Sequence, residues 1–190
     1  MLPTNVTEAE LLAIPQKTPD YIFHKQMMFE SILWVNAQRA LETGTDLGDS
    51  ARIFATALRK TGGSLITMDI KAPEDAGWLK EYPNVQVAIG DTTAVPWTTE
   101  IDFLFLDDHV KGMDTHKHIV MELEKFGRWV RKGGLILIHD TMHLDFGAGL
   151  VKGIREFCAK YGLRWMEDPQ QHGMAVIEVI RDLRSVPSQP

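Results

Sequence analysis

Four aspartates, Asp69, Asp91, Asp107 and Asp140, each stand at or just beyond the end of a short apolar run. If those runs are strands of one parallel sheet, their carboxyl ends share a rim. Acids on such a rim can accept hydrogen bonds from ribose hydroxyls, an exocyclic amine or an ammonium. Aspartate at a strand end also starts turns and caps helices, and that plainer role fits at least one of the four. A fifth acid, Glu42, precedes the turn Thr43-Gly44-Thr45-Asp46-Leu47-Gly48. Glycines let the backbone turn sharply and lie against a ligand, while the helix that follows offers unpaired N–H groups. A dinucleotide turn wants G-x-G-x-x-G. Here only Gly44 and Gly48 remain, with Asp46 between them, and a carboxylate repels a diphosphate. A ligand carrying a sulfonium and an ammonium, and no phosphate, is the better electrostatic partner.

The segment Asp107-Asp108-His109-Val110-Lys111 adds two proton-transfer candidates. His109 has an unperturbed pKa suited to a general base, and Lys111 is the second choice; either can equally be a solvated loop charge. His139, Asp140 and His143 read together as a site for Mn²⁺, Fe²⁺ or Zn²⁺. His116 and His118 read as surface residues of the next helix. Acceptor contacts are expected from Tyr21, His24, Lys25 and Met28, and from Met142 to Phe146.

The elements that must position these residues follow from periodicity. Short apolar runs at Ala40 to Thr43, Leu65 to Asp69, Val85 to Ile89, Phe103 to Asp107 and Leu135 to Ile138 predict buried parallel strands. A helix is expected over Tyr21 to Ala37, ahead of the first strand. Crossover helices are expected over Ser50 to Lys60, through Ile119, Leu123, Phe126 and Val130 to a stop at Lys132-Gly133-Gly134, and through Leu150, Ile154, Phe157 and Tyr161 to Gly162. The loop Asp168 to Gly173 suits a hairpin between Leu163 to Glu167 and Met174 to Ile180, so the last strand should run antiparallel.

The series Leu41-Glu42-Thr43-Gly44 to Gly48, Ile66-Thr67-Met68-Asp69, Ile89-Gly90-Asp91, Phe105-Leu106-Asp107, and Lys132-Gly133-Gly134 before His139-Asp140-Thr141 resembles the class I methyltransferases. It looks most like the small O-methyltransferases of the catechol and cephalosporin-hydroxylase-like groups, over about residues 20 to 181. The resemblance implies an α/β, Rossmann-like three-layer sandwich with a seven-stranded, mostly parallel sheet of order 3-2-1-4-5-7-6, strand 7 antiparallel. It implies S-adenosylmethionine as cofactor, with Glu42, Gly44 and Gly48 at the methionine part, Asp69 on the ribose hydroxyls, Asp91 near adenine and Asp107 at the same pocket. In metal-dependent relatives the positions of Asp107, His139 and Asp140 hold Mg²⁺ or another divalent ion. Asp46 departs from the pattern, standing where many members have glycine, and so does His139, where an acid is usual.

At 190 residues, 44% hydrophobic, the chain has room for one domain: a helical cover over 1–38, the catalytic domain over 39–182 and a tail over 183–190. The net charge of −6 and the lack of a Lys/Arg run argue against a nucleic-acid partner. No Asp/Asn-Pro-Pro-aromatic or Pro-Cys motif for base modification is present. Met1 to Glu10 lacks the features of a signal peptide, no run reaches membrane-spanning length, and the single Cys158 excludes an internal disulfide, so a cytoplasmic enzyme with a small-molecule methyl acceptor is expected. Homo-oligomer formation stays open. The alternatives are a catalytically silent Rossmann-like binding domain and an NAD-dependent oxidoreductase.

Overall fold

Phe103 to Leu106 shows the logic of the sheet in four residues. Successive side chains of a strand point to opposite faces, so Phe103 and Phe105 fall on one side and Leu104 and Leu106 on the other. All four are fully buried. The structure, a computed structural model describing residues 6–19 and 21–186, places this run at the centre of a seven-stranded sheet. Its strands are β1 (Arg39–Thr43), β2 (Ser64–Asp69), β3 (Val85–Ile89), β4 (Ile101–Leu106), β5 (Val130–His139), β6 (Trp165–Asp168) and β7 (Met174–Glu178), in the order β3-β2-β1-β4-β5-β7-β6. The first five are parallel, and β7 runs antiparallel to both β5 and β6. The expected order and the reversed last strand are both present.

The helices are α1 (Glu8–Ala13), α2 (Lys25–Trp34), α3 (Asp49–Thr61), α4 (Thr115–Lys125) and α5 (Gly147–Tyr161). Met28, Phe29, Ile53 and Phe54 of α2 and α3 cover the Phe103/Phe105 face, while Ile119, Leu123, Leu150 and Ile154 of α4 and α5 cover the Leu104/Leu106 face. Two separate cores therefore clamp one sheet. The connections turn opposite ways from β1 and β4, and where such a reversal occurs a crevice opens beyond the carboxyl ends of the strands.

Several boundaries differ from the sequence expectation. The helix expected to continue through Val130 stops at Lys125, and Val130 opens β5 instead. Gly133 has φ +80, and a Cβ on Gly134 would lie 2.5 Å from the carbonyl oxygen of Asp102. These glycines thus serve a register shift opposite Ile101 and Phe103, not a helix stop. α2 begins four residues after Tyr21 and ends before Asn36, which is left-handed at φ 50. Within the segment expected as a helical cover, a first short helix, α1, precedes α2 and is closed by a capping box between Thr7 and Glu10. Leu183, assigned to the tail on sequence, is fully buried, so the folded chain extends past 182; residues 187–190 of that tail lie outside the described residues. Among the described residues no helix is long and apolar enough to cross a membrane.

One buried acid knits the amino end of the sheet. Asp102 accepts the N–H groups of Gln38 and Arg39 at 2.8 Å each and the Nε–H of Arg131 at 2.6 Å. Burial pushes its carboxyl upward, but those donors outweigh burial and hold it below the usual range. Arg131 in turn donates to the Val35 carbonyl at 2.7 Å, tying the end of α2 to β5. Asp102→Ala should therefore lower the unfolding free energy by about 2–4 kcal/mol in urea titrations, because it strands Arg131 and two backbone donors.

Candidate active site

The crevice beyond β1 and β4 is a cleft of about 720 Å³, within the range of small-molecule sites. Its floor is the turn after β1. Gly44 has φ +86, and a Cβ there would lie 2.3 Å from the carbonyl oxygen of Asp107, so the ends of β1 and β4 approach too closely for any side chain. Gly48, the residue capping α3, has φ +75 and sits against the Trp78 ring, where a Cβ would come within 2.5 Å. Between them Asp46 is itself left-handed at φ 39, a conformation that Asp tolerates better than most side chains.

Asp69 holds this turn. Its Oδ2 accepts the backbone N–H groups of Thr45 at 3.0 Å and Asp46 at 3.1 Å, and its Oδ1 accepts the N–H of Lys71 at 3.2 Å. In a dinucleotide turn such N–H groups would face a phosphate; here two of them are already committed to an internal carboxylate. Asp91 is exposed at the far wall, and its carboxyl is held below the usual range by the hydroxyl and N–H of Thr93.

Glu42 lies beneath the turn, fully buried, and accepts a hydrogen bond from the Ser50 hydroxyl. Burial pushes its carboxyl up to about 8, so near neutrality it is largely protonated. It does not line the cleft. Nor does Gly48, whose neighbours Leu47 and Asp49 do. Asp49 accepts backbone N–H groups of Lys17 and Thr18 and pairs with Arg52 at 2.8 Å, strapping the segment before α2 across the start of α3.

Beyond β4 and β5, Asp107, His139 and Asp140 bring ligand-type atoms within 4.8 Å of one another. The Nδ1 of His139 stands 3.4 Å from Asp107 and 3.3 Å from Asp140. The Tyr21 hydroxyl donates to the other oxygen of Asp107, and burial together with that carboxylate keeps the phenol protonated. Burial and the Asp107 charge raise the Asp140 carboxyl, and Asp140 is held left-handed at φ 62. His143 lines the cleft, but its Nδ1 accepts the Asp145 N–H and its ring stacks on Phe146, so it stays outside the trio.

The remaining candidates divide. The His109 side chain is wholly buried at the cleft wall, its ring nitrogens make no hydrogen bond, and burial lowers its pKa. It is therefore no solvated loop charge. Lys111 is 85% exposed, pairs with Asp145 and does not line the cleft. Of the expected acceptor contacts, Tyr21 and His143 line the cleft, whereas His24 and Met28 are buried in the core and Lys25 donates to the Ile14 carbonyl. His118, expected at the surface, lines the cleft and bonds Asp108. Sequence reasoning also passed over Asp108, Glu122 and His172. The His118/Glu122 spacing of four residues was the available signal; His172 reaches the cleft only through the β6–β7 hairpin, which spacing cannot reveal.

Residues 41–141, more than half of the chain, match the family model described as "Methyltransferase domain". The chain belongs to the methyltransferase-domain family. The matched stretch of this methyltransferase contains all seven aspartates that line the cleft, from Asp46 to Asp140, and the buried Glu42 beneath it. Solved structures that share its fold include the following three. The S-adenosylhomocysteine-bound methyltransferase PaMTH1 of Podospora anserina superposes with TM-score 0.66 at 17% identity, covering 82% of this chain and 77% of that one. The O-methyltransferase TomG of Streptomyces achromogenes, involved in tomaymycin synthesis and solved with S-adenosylmethionine, gives 0.59 at 20%, covering 88% and 82%. The N-methyltransferase NodS of Bradyrhizobium japonicum gives 0.62 at 12%, covering 85% and 96%. The architecture is the seven-stranded methyltransferase fold that these structures share.

The protonated state of Glu42 has a measurable signature. A carboxyl whose pKa rises from 4.5 to about 8 on folding contributes stability that is complete below pH 4.5 and lost as pH climbs through 8. Between about pH 5 and pH 9 the ligand-free methyltransferase should lose stability that Glu42→Gln retains. Urea unfolding of the pair at both pH values should differ by on the order of 2–4 kcal/mol.

Proposed function

We propose that the cleft holds S-adenosylmethionine with its methionine end at the turn after β1 and its adenosine end between Asp69 and Asp91. The methyl group then passes to an oxygen of a small-molecule acceptor that enters beside Asp107, His139 and Asp140. The observation that carries this reading is the charge of the cleft: among the described residues, seven aspartates and one lysine line it. A sulfonium and an ammonium gain from that field, and a phosphate or a nucleic-acid backbone loses. Asp69 keeps lone pairs beyond its three backbone bonds, which suits the paired hydroxyls of a ribose.

Two carboxylates and one imidazole at Asp107, His139 and Asp140 fit a divalent cation. Burial leaves Asp140 short of compensation, and an imidazole beside two oxygens suits Mn²⁺, Fe²⁺ or Zn²⁺ at least as well as Mg²⁺. Such an ion would supply Lewis-acid polarisation of a hydroxyl acceptor. The chain's own residues do the rest: Tyr21 fixes the Asp107 carboxylate by its hydrogen bond, and the walls of the cleft orient the acceptor in line with the methyl group. His109, neutral in its buried position, accepts the hydroxyl proton, and Lys111 stays outside the chemistry. Oxygen is favoured as acceptor atom by TomG, an O-methyltransferase of similar fold, and by the trio's suitability for activating a hydroxyl.

Calorimetry and thermal shift should show binding of S-adenosylmethionine and S-adenosylhomocysteine, and none of NADH. Asp69→Ala should weaken the former by about 10- to 100-fold, the worth of hydrogen bonds to a charged group. Absence of any shift with either adenosyl ligand would remove the reading. Once an acceptor is found, His109→Ala should lower kcat by on the order of 10²–10⁴ and leave the affinity for S-adenosylhomocysteine unchanged; unchanged kcat would acquit His109.

A further inference from the structure

A second group of ligand-type side chains stands on the other flank of the β4 end. The Nε2 of His118 lies 3.0 and 3.1 Å from the two oxygens of Asp108 and 3.6 Å from Oε2 of Glu122. One donor atom from each of the three residues falls within 4.8 Å of the others. His118 and Glu122 are four residues apart on α4, so both side chains leave the same face of the helix, the spacing by which helices chelate metal ions. Asp108 reaches the same point from the loop after β4. None of these residues belongs to the Asp107, His139 and Asp140 trio.

Glu122 supplies the independent observation. It is fully buried, and neither of its carboxylate oxygens completes a hydrogen bond. An ionised carboxylate in that position costs several kcal/mol unless a proton or a cation compensates it. Burial and the nearby Asp108 charge push the Glu122 carboxyl well above its usual range, so without a cation it keeps a proton. Asp108 and His118 both line the cleft, which gives an ion a path from solvent to the buried Glu122. The Thr92 hydroxyl donates to Asp108 at 2.9 Å and so holds that carboxylate from the β3 side.

We propose that Asp108, His118 and Glu122 form a second divalent-cation site, which takes a transition ion such as Zn²⁺ or Mn²⁺ and ties α4 to the wall of the cleft. One imidazole with two carboxylates is a donor set for such ions. Ca²⁺ would demand six or more oxygen ligands, which this pocket does not offer. The ion would add a bond among three elements, α4, the loop after β4 and, through Thr92, the loop after β3, which otherwise meet through His118 on Asp108 and through the Lys125 ammonium on the Thr92 carbonyl. Its role is to hold the wall, and it takes no part in the chemistry proposed for Asp107.

The test isolates this site by removing the other. A chain carrying Asp107→Asn and Asp140→Asn, stripped with EDTA, should still bind one Zn²⁺ in calorimetry and one Mn²⁺ by electron paramagnetic resonance. Adding His118→Ala or Glu122→Gln should weaken that binding by more than about tenfold, since even outer-sphere partners of a metal contribute on the order of 10- to 100-fold. Glu122→Gln keeps the shape and removes the buried charge, so its unfolding temperature without metal should not fall. His118→Ala answers the same question from the cleft-facing side of the helix. The proposal is overturned if the doubly substituted chain, folded by circular dichroism, binds neither ion, or if both further substitutions leave its affinity unchanged. Neither outcome depends on methyl transfer.

Discussion

Seven carboxylates gathered on one rim repel one another, and the rest of the site is arranged around that repulsion. At neutral pH like charges this close are tolerated only where a donor, a proton or a counter-ion meets each of them. Every solution is used. Backbone N–H groups meet Asp69, the strap of Lys17 and Thr18 together with Arg52 meets Asp49, the Tyr21 hydroxyl meets Asp107, and His118 with Thr92 meets Asp108. Glu42 and Glu122, the two deepest acids, keep their protons. What is left over, at Asp140 and the mouth of the cleft, is a net negative field awaiting a positive ligand.

That arrangement explains why the segment ahead of the sheet is integral to the domain. Its helix α2 buries Met28, Phe29 and Ile32 against α3, and its approach loop carries Thr18 and Tyr21 to the rim. Removing this segment would expose apolar surface on α3, strip two N–H donors from Asp49 and leave Asp107 without its hydroxyl. The segment thus closes the electrostatics of the site as well as the core. A site of unfavourable charge maintained by compensation elsewhere is how a fold keeps a functional surface that its own stability would not select.

The strands were legible in the sequence because parallel strands with buried faces read as short apolar runs, and five of them were found that way; their order came from the resemblance to the class I methyltransferases. Boundaries were less legible. Val130 satisfies helical spacing with Phe126, yet hydrogen bonding opposite Ile101 takes it into β5; a local period cannot see a partner 29 residues away. The rim acids Asp69, Asp91, Asp107 and Asp140 were visible as strand-end aspartates, and all four line one cleft. Histidines were harder. His118 looked external because its neighbours His116 and Lys117 are polar, and only the fold turns its ring toward Asp108. His24, adjacent to polar Lys25 and Gln26, is fully buried for the same reason. Side chains whose place depends on contact between distant loops carry no local signal.

Asp46 marks where sequence and structure sharpen each other. On sequence it weakens a dinucleotide reading through charge alone, and a single exposed carboxylate is a modest obstacle, since solvent weakens its repulsion and salt screens it beyond about 8 Å. The stronger obstacle is its backbone. With φ 39, Asp46 directs its N–H, together with that of Thr45, onto the Asp69 carboxylate. An internal anion therefore occupies the donors that a pyrophosphate would need, and a phosphate brought there would have to displace a carboxylate tethered one strand away. The turn has the outline of a phosphate-binding loop with its anion already built in. What remains attractive above it is positive charge, and a sulfonium nucleoside carries that charge without the phosphate.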